Sequence, residues 1–174
     1  MEKTVSFQKA NLVGVATLLL LVPFYVAYAY VWELPNIYDY LEHFKHYLYF
    51  FAAMVLLVFL HELIHAIFFA LFSKEAWNGV RIGIIWKHLT PYAHCSTPLN
   101  VMHYRIALLM PGILLGLFPL ILALICGIFS VFVMGSFLLA AAGGDFLVFF
   151  LTLSVPKHKL IKDHPSKIGF EIID

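Results

Sequence analysis

Residues 47–72 read YLYFFAAMVLLVFLHELIHAIFFALF, an apolar run long enough to cross a bilayer. A transmembrane helix needs about 20 mostly apolar residues, so this run predicts one. Three ionisable residues, His61, Glu62 and His65, lie in its second half. Charged side chains at the centre of a membrane helix cost roughly 2.5–3.5 kcal/mol each. The presence of these three side chains in a membrane helix therefore indicates that they have a functional role.

The whole chain has the composition of a membrane protein. Of its 174 residues, 63% are hydrophobic and 12% are charged, and the mean hydropathy is +0.92. A soluble domain carries roughly twice that share of charge. We therefore predict an all-α membrane protein formed by a single integral membrane domain, residues 1–174. The net charge of +1 gives no indication of nucleic-acid binding, and the two cysteines, Cys95 and Cys126, are expected to be unpaired.

Four apolar stretches are predicted to be transmembrane helices, at about residues 11–32, 47–72, 104–126 and 131–154. The last two share one apolar run, which we divide near residues 127–130 because a single helix of that length would far exceed the bilayer. The first helix resembles a secretory signal at Ala27-Tyr28-Ala29. Its apolar run is longer than that of a usual signal, so an uncleaved helix is favoured.

Basic residues lie almost entirely on one side of these four helices. Only Lys45 falls in the loop between the first and second helix. Because cytoplasmic loops are rich in Lys and Arg, both termini are predicted to be cytoplasmic, with residues 155–174 as a lysine-rich tail that faces anionic lipid. The ten basic residues assigned to the cytoplasm are Lys3, Lys9, Lys74, Arg81, Lys87, Arg105, Lys157, Lys159, Lys162 and Lys167.

The segment between the second and third helix has the alternation of a β-strand. Val80, Ile82, Ile84 and Trp86 recur at every second position, which predicts a short strand or hairpin at the cytoplasmic surface. Two roles fit a strand at residues 80–86: its edge pairs with an extended substrate segment, or the hairpin covers the helix ends. Tyr104 and Arg105, which follow, are expected to be interface anchors.

His61, Glu62 and His65 form the HExxH pattern of zinc-dependent peptidases. Four residues apart on a helix, the two imidazoles lie on one face and can bind one metal ion. Glu62 lies beside them, placed to act as a general base. Zinc lowers the pKa of a bound water to about 7, and a carboxylate takes its proton during attack on a carbonyl.

A catalytic zinc commonly has three protein ligands, so a third is expected outside this helix. The extended pattern HExxHxxGxxH is absent, because Phe68 and Leu71 occupy its Gly and His positions. At about 1.5 Å per residue, Asp145 lies about 14 Å below the cytoplasmic end of its helix, and His61 and His65 lie about 18 and 12 Å below theirs. Depth therefore favours Asp145. The candidates considered are Glu75, His94, Cys95, His103 and Asp145; His94 and Cys95 stay open if their loop enters the bundle.

With these residues, the chain resembles the zincin peptidase family of small bacterial membrane proteins, first defined as a domain of unknown function. That family in turn resembles the site-two class of intramembrane metalloproteases. The resemblance covers roughly residues 55–155. Phe146 follows Asp145 where the site-two class has Gly, and Leu108 occupies its Asn position, so the substrates of that class are not transferred. The matching residues are His61 to His65, Cys95 to Leu99, Tyr104-Arg105, Pro111-Gly112 and Gly144-Asp145.

The resemblance implies an intramembrane zinc metallopeptidase in the inner membrane of a bacterium. It implies that Asp145 is the third ligand of Zn²⁺, with His61 and His65, and that the substrate is a membrane protein or peptide. A non-catalytic metal-binding membrane protein, a carrier or sensor with the same ligands, is the alternative, as is a metal-free scaffold. Glu62 separates the first two, because hydrolysis needs a carboxylate beside the first His and transport does not.

Overall fold

The fold is described from a computed structural model, which covers residues 1–36, 44–86 and 90–173, with the side chains of 44–46 excluded. Lys87 and the side chain of Lys45, both used in the orientation argument, lie outside these residues. Seven α-helices occur within the described residues, two of which continue one another through a π-helical segment, Gly112–Leu117. They are α1 (Phe7–Leu20), α2 (Val22–Trp32), α3 (Phe44–Phe72), α4 (Val101–Pro111), α5 (Phe118–Cys126), α6 (Phe129–Ala141) and α7 (Gly143–Thr152).

Within the described residues, three stretches are long and apolar enough to cross a membrane: Phe7–Trp32, Tyr47–Phe72 and Val101–Cys126. The pair α6 and α7, bent by 44° at Ala142, makes a fourth if it is one crossing. The first predicted helix thus begins four residues earlier than expected, and the fourth is broken. The division of the long apolar run falls at Gly127, whose left-handed φ of 71° ends α5. That the chain forms one integral membrane domain stays a prediction.

The all-α assignment is wrong, because the structure contains two antiparallel sheets. The first is a hairpin of β2 (Val80–Ile85) and β3 (Thr90–Cys95), where a strand or hairpin was expected. The second has the strand order β1-β6-β5-β4. Its strands are β1 (Glu2–Val5), β4 (Leu99–Asn100), β5 (Leu160–Asp163) and β6 (Ile168–Ile173).

The four-stranded sheet brings the two chain termini together. Glu2 is paired with Glu171 and Val5 with Ile168, so the strand before the first helix lies beside the last strand of the chain. Strand β4 joins the same sheet through Leu99 and Ile161. Both termini and the connection between α3 and α4 therefore lie at one end of the helical bundle.

The start of α7 packs very closely on α1. A Cβ atom added at Gly143 would lie 2.6 Å from the Gly14 amide nitrogen, whereas one at Gly144 would meet only the Ala10 Cβ, at 3.6 Å. Small residues allow membrane helices to approach this closely. This contact fixes the position of the first turn of α7, which contains Asp145.

Gly143→Ala is therefore expected to destabilise the protein by about 1–3 kcal/mol, the usual range for overpacking a core. The added methyl group meets backbone atoms, which cannot rotate away as a side chain could. Gly144→Ala is the matched control, because its methyl group makes an ordinary van der Waals contact. Thermal unfolding in detergent would compare the two variants; equal unfolding temperatures would show that the packing is loose.

Arg105 and Tyr104 are buried residues and not interface anchors, so that prediction is wrong. Arg105 is 9% exposed, and its guanidinium donates to Thr152 Oγ1 at 3.0 Å and to the Thr152 carbonyl at 2.7 Å. A cation at a helix C-terminus neutralises the free carbonyls there. Arg105 thus ties the start of α4 to the end of α7.

Candidate active site

Helix α3 places its two histidines side by side in the protein interior. The His61 and His65 rings lie 5.0 Å apart between centroids, and the residues are 6% and 5% exposed. The i, i+4 spacing of a helix places both rings on one face, where they meet edge to face. Both imidazoles therefore face the bundle.

Asp145 lies directly opposite this pair. Its Oδ2 is 3.1 Å from His61 Nε2, and its Oδ1 is 3.4 Å from His65 Nε2. The break at Ala142 makes Asp145 a residue of the first turn of α7. One carboxylate thus faces both imidazoles, each through a separate oxygen.

These three side chains fit a zinc ion. Their ligand atoms lie within 4.8 Å of one another, and among the described residues they form the one such group of His, Cys, Asp and Glu. Ligands about 2.0–2.1 Å from a tetrahedral zinc are about 3.3 Å from each other. The two nitrogen–oxygen distances of 3.1 and 3.4 Å match that separation. Two imidazoles and one carboxylate are also a common catalytic zinc set with an open fourth position.

The two histidines differ in how the protein holds them. His65 Nδ1 lies 2.9 Å from the Ala107 carbonyl, and because a carbonyl only accepts, Nδ1 carries the hydrogen. His61 Nδ1 is buried and has no hydrogen-bond partner among the described residues. Only His65, of the two, has its ring orientation set by a protein group at Nδ1.

Glu62 contacts strand β3 through its carboxylate. Its Oε2 accepts a hydrogen bond from the Ala93 amide at 2.8 Å. Ala93 lies opposite Ile82 of β2, and its hydrogen bond to Glu62 shows that its amide points away from β2. The HExxH helix and the hairpin are thereby joined at the carboxylate expected to be the base.

A second carboxylate, Asp163 at the end of β5, holds the same strand further along. It accepts hydrogen bonds from the Cys95 amide at 2.7 Å and from the Tyr104 hydroxyl. His94 Nδ1 is 3.8 Å away. Burial raises the pKa of Asp163, and the hydrogen bonds from Tyr104 and Cys95 oppose that increase. Asp163 therefore anchors β3 to the four-stranded sheet.

A large cavity, lined by apolar as well as charged side chains, connects the candidate site with the two sheets. Its volume is about 680 Å³, and Glu62, His65 and Asp145 form part of its wall. Its wall also contains Arg81, Asp163 and residues 164–169, which form the turn between β5 and β6 and the start of β6. A water molecule occupies about 30 Å³ in the liquid, so the cavity has room for several. A smaller cavity of about 140 Å³ adjoins His61 and Glu62.

The other predicted candidates lie away from the histidine pair. Glu75 is exposed, and the His103 ring stacks on Phe72 at a centroid distance of 4.4 Å. Cys95 is buried, with its thiol 3.4 Å from the Thr97 carbonyl, and burial raises its pKa. Cys95 and Cys126 are both free, as expected.

The match to known families agrees with this geometry. A family model described as "Putative zincin peptidase" matches residues 54–160, more than half of the chain. The chain belongs to this family. The zincin peptidase match contains His61, Glu62, His65 and Asp145, and zinc is the metal that the family implies. No curated protein and no solved structure matches the chain significantly.

Three groups around the candidate site were not anticipated from the sequence. Two are backbone groups, the Ala93 amide and the Ala107 carbonyl, which no side-chain pattern reveals. The third is Asp163, which lies beyond the last predicted helix and was treated as part of a polar tail.

Proposed function

We propose that the protein is an intramembrane zinc metallopeptidase that hydrolyses peptide bonds of membrane-associated proteins. The observation that carries the proposal is the position of Asp145, which faces both His61 and His65 at 3.1 and 3.4 Å with Glu62 in the same helical turn. Membership of the zincin peptidase family supports a metallopeptidase function. The finer likeness to site-two proteases stays a prediction.

His61, His65 and Asp145 would hold the ion, and Glu62 would act as the base. A bound zinc acidifies a water molecule and polarises the scissile carbonyl. Glu62 uses Oε2 to hold the Ala93 amide and has its second oxygen for the attacking water. The carboxylate takes the proton of that water and returns it to the leaving amine. The large cavity beside Glu62 and Asp145 would give water access to a site among apolar helices.

The structure changes which strand edge is the better candidate for the substrate. Strand β2 was considered for this role, but β3 lies between β2 and Glu62. An extended segment on this side of β3 would pass directly beside the base. The Ala93 and Cys95 amides are already bound to Glu62 and Asp163, so the pairing would use the carbonyl groups of β3. We therefore assign the substrate contact to Thr90–Cys95. Pairing would also expose a scissile carbonyl, which a helix would hide.

The membrane orientation proposed here places both sheets in the cytoplasm. Lys3, Lys162 and Lys167 lie in or next to the four-stranded sheet, and Arg81 lies in the hairpin. This concentration of positive charge at one end of the bundle supports a cytoplasmic location for both termini. The membrane would be the inner membrane of a bacterium.

The metal content of the purified protein tests the proposal. We expect about one zinc ion per chain after purification without added metal, measured by elemental analysis against protein concentration. A protein without metal that also fails to take up Zn²⁺ from solution would exclude the peptidase. A carrier or sensor would also contain zinc, but its function would not depend on Glu62.

A further inference from the structure

The part of the third apolar stretch nearest the candidate site contains a proline in a helix. Pro111 is buried and is the last residue of α4, and the chain continues as the π-helical segment. In an α-helix the amide of residue 111 would donate to the carbonyl of residue 107. Proline has no amide hydrogen. The Ala107 carbonyl therefore lacks its helical donor.

The Ala107 carbonyl receives its hydrogen bond from His65. Ala107 is fully buried, and a buried carbonyl without a donor is costly. His65 Nδ1 lies 2.9 Å from that oxygen. One hydrogen bond in the protein interior thus joins His65 on α3 to Ala107 on α4, the helix that ends at Pro111.

We propose that Pro111 is a positioning residue for the metal site, acting through the Ala107 carbonyl. By withholding an amide from residue 111, it leaves that carbonyl to accept from His65 Nδ1. The hydrogen is then fixed on Nδ1, and Nε2, which lies 3.4 Å from Asp145 Oδ1, is the nitrogen left for a metal ion. This inference rests on the proposed metal site for its consequence, but the hydrogen bond itself requires no metal.

Gly112, the residue after the proline, allows the chain that carries Asp145 to pack close to this part of the helix. A Cβ atom at Gly112 would lie 3.1 Å from the Ala142 Cβ and 3.2 Å from the Phe146 ring. Ala142 is the break between α6 and α7, and Phe146 follows Asp145 in the chain. Pro111 thus sets the orientation of His65, and Gly112 admits the helix that provides Asp145.

Pro111→Ala tests the proposal, with Pro119→Ala as the matched control. The alanine amide would donate to the Ala107 carbonyl and turn it back along the helix axis, in competition with His65. Pro119 lies in the same apolar stretch, but its missing donor concerns Leu115, away from the site. We expect the dissociation constant for Zn²⁺, measured by chelator competition, to rise about 10- to 100-fold in Pro111→Ala and to stay unchanged in Pro119→Ala.

A spectroscopic measurement makes the test independent of zinc. In metal-free protein with ¹⁵N-labelled histidine, with the His65 signals assigned by their loss in His65→Ala, the wild type should carry a hydrogen on His65 Nδ1, with or without a second one on Nε2. Pro111→Ala should show a fraction of His65 in the neutral Nε2–H form. A neutral Nε2–H form in the wild type, or unchanged tautomer and zinc affinity in Pro111→Ala, would overturn the proposal.

A backbone substitution separates the missing amide from the proline ring. Replacing residue 111 by the α-hydroxy analogue of alanine removes the N–H without the ring, so affinity and tautomer should remain those of the wild type. If the analogue lost both the zinc affinity and the His65 tautomer of the wild type, the proposal would be contradicted, even if Pro111→Ala does not fold. If the wild type binds no zinc but the tautomer changes as expected, the proposed function fails and the role of Pro111 stands.

Discussion

Glu62→Gln is expected to lower the rate of peptide hydrolysis by about 10²- to 10⁴-fold, the usual contribution of general acid–base catalysis. Glutamine has nearly the same shape, but its amide cannot take a proton from water. Its side-chain oxygen can still accept the hydrogen bond from the Ala93 amide, now 2.8 Å from Glu62 Oε2. The variant should therefore fold and bind zinc like the wild type.

New protein N-termini provide the measurement, because cleavage creates them whichever membrane protein is the substrate. Membranes from cells producing the wild type, Glu62→Gln or Glu75→Gln would be compared by mass spectrometry of N-terminal peptides. Glu75 is an exposed carboxylate outside the site, so Glu75→Gln should behave like the wild type. Termini that appear equally with Glu62→Gln would rule out Glu62 as the base and favour a carrier or sensor.

Asp145→Ala is expected to weaken zinc binding by more than the roughly 10- to 100-fold that follows loss of a group merely supporting a ligand. The substitution removes both oxygens that face His61 and His65. Two imidazoles alone leave a zinc ion without the charge and the third ligand that catalytic sites provide. Asp145→Asn should have a similar effect, because an amide oxygen is a poorer zinc ligand.

Cys95→Ala and Glu171→Gln are the controls for this experiment. Cys95 was an alternative third ligand, and the structure places its thiol beside Thr97. Glu171 is a carboxylate of β6 paired with Lys162, far from the histidines in the fold. Both variants should retain the zinc affinity of the wild type in a chelator competition. Loss of zinc in Cys95→Ala with retention in Asp145→Ala would reverse the ligand assignment.

The site could be predicted from the sequence better than the fold. The spacing of His61 and His65 places them on one helical face whatever surrounds them. The position of Asp145 near the histidines follows from the geometry of two antiparallel helices, because the depth of a residue in the bilayer can be counted from the end of its helix. The structure places its carboxylate beside both rings.

The four-stranded sheet could not be predicted as a unit, because β1 and β4 are short and lie far in sequence from the strands they pair with. Strand β1 has four residues and β4 only two, too few to show an alternation. Pairing of Glu2 with Glu171 leaves no local signal at either position. Arg105 was assigned wrongly for a related reason, since its partner Thr152 lies in another helix. Such tertiary contacts depend on the packing of helices that a single sequence does not reveal.

X-ray absorption at the zinc edge tests the proposed ligand set most directly. In zinc-loaded wild type, we expect two imidazole nitrogens and carboxylate oxygen at about 2.0–2.2 Å, with the carboxylate contribution lost in Asp145→Ala. A sulfur ligand at about 2.3 Å, or a spectrum that Asp145→Ala leaves unchanged, would contradict coordination by His61, His65 and Asp145.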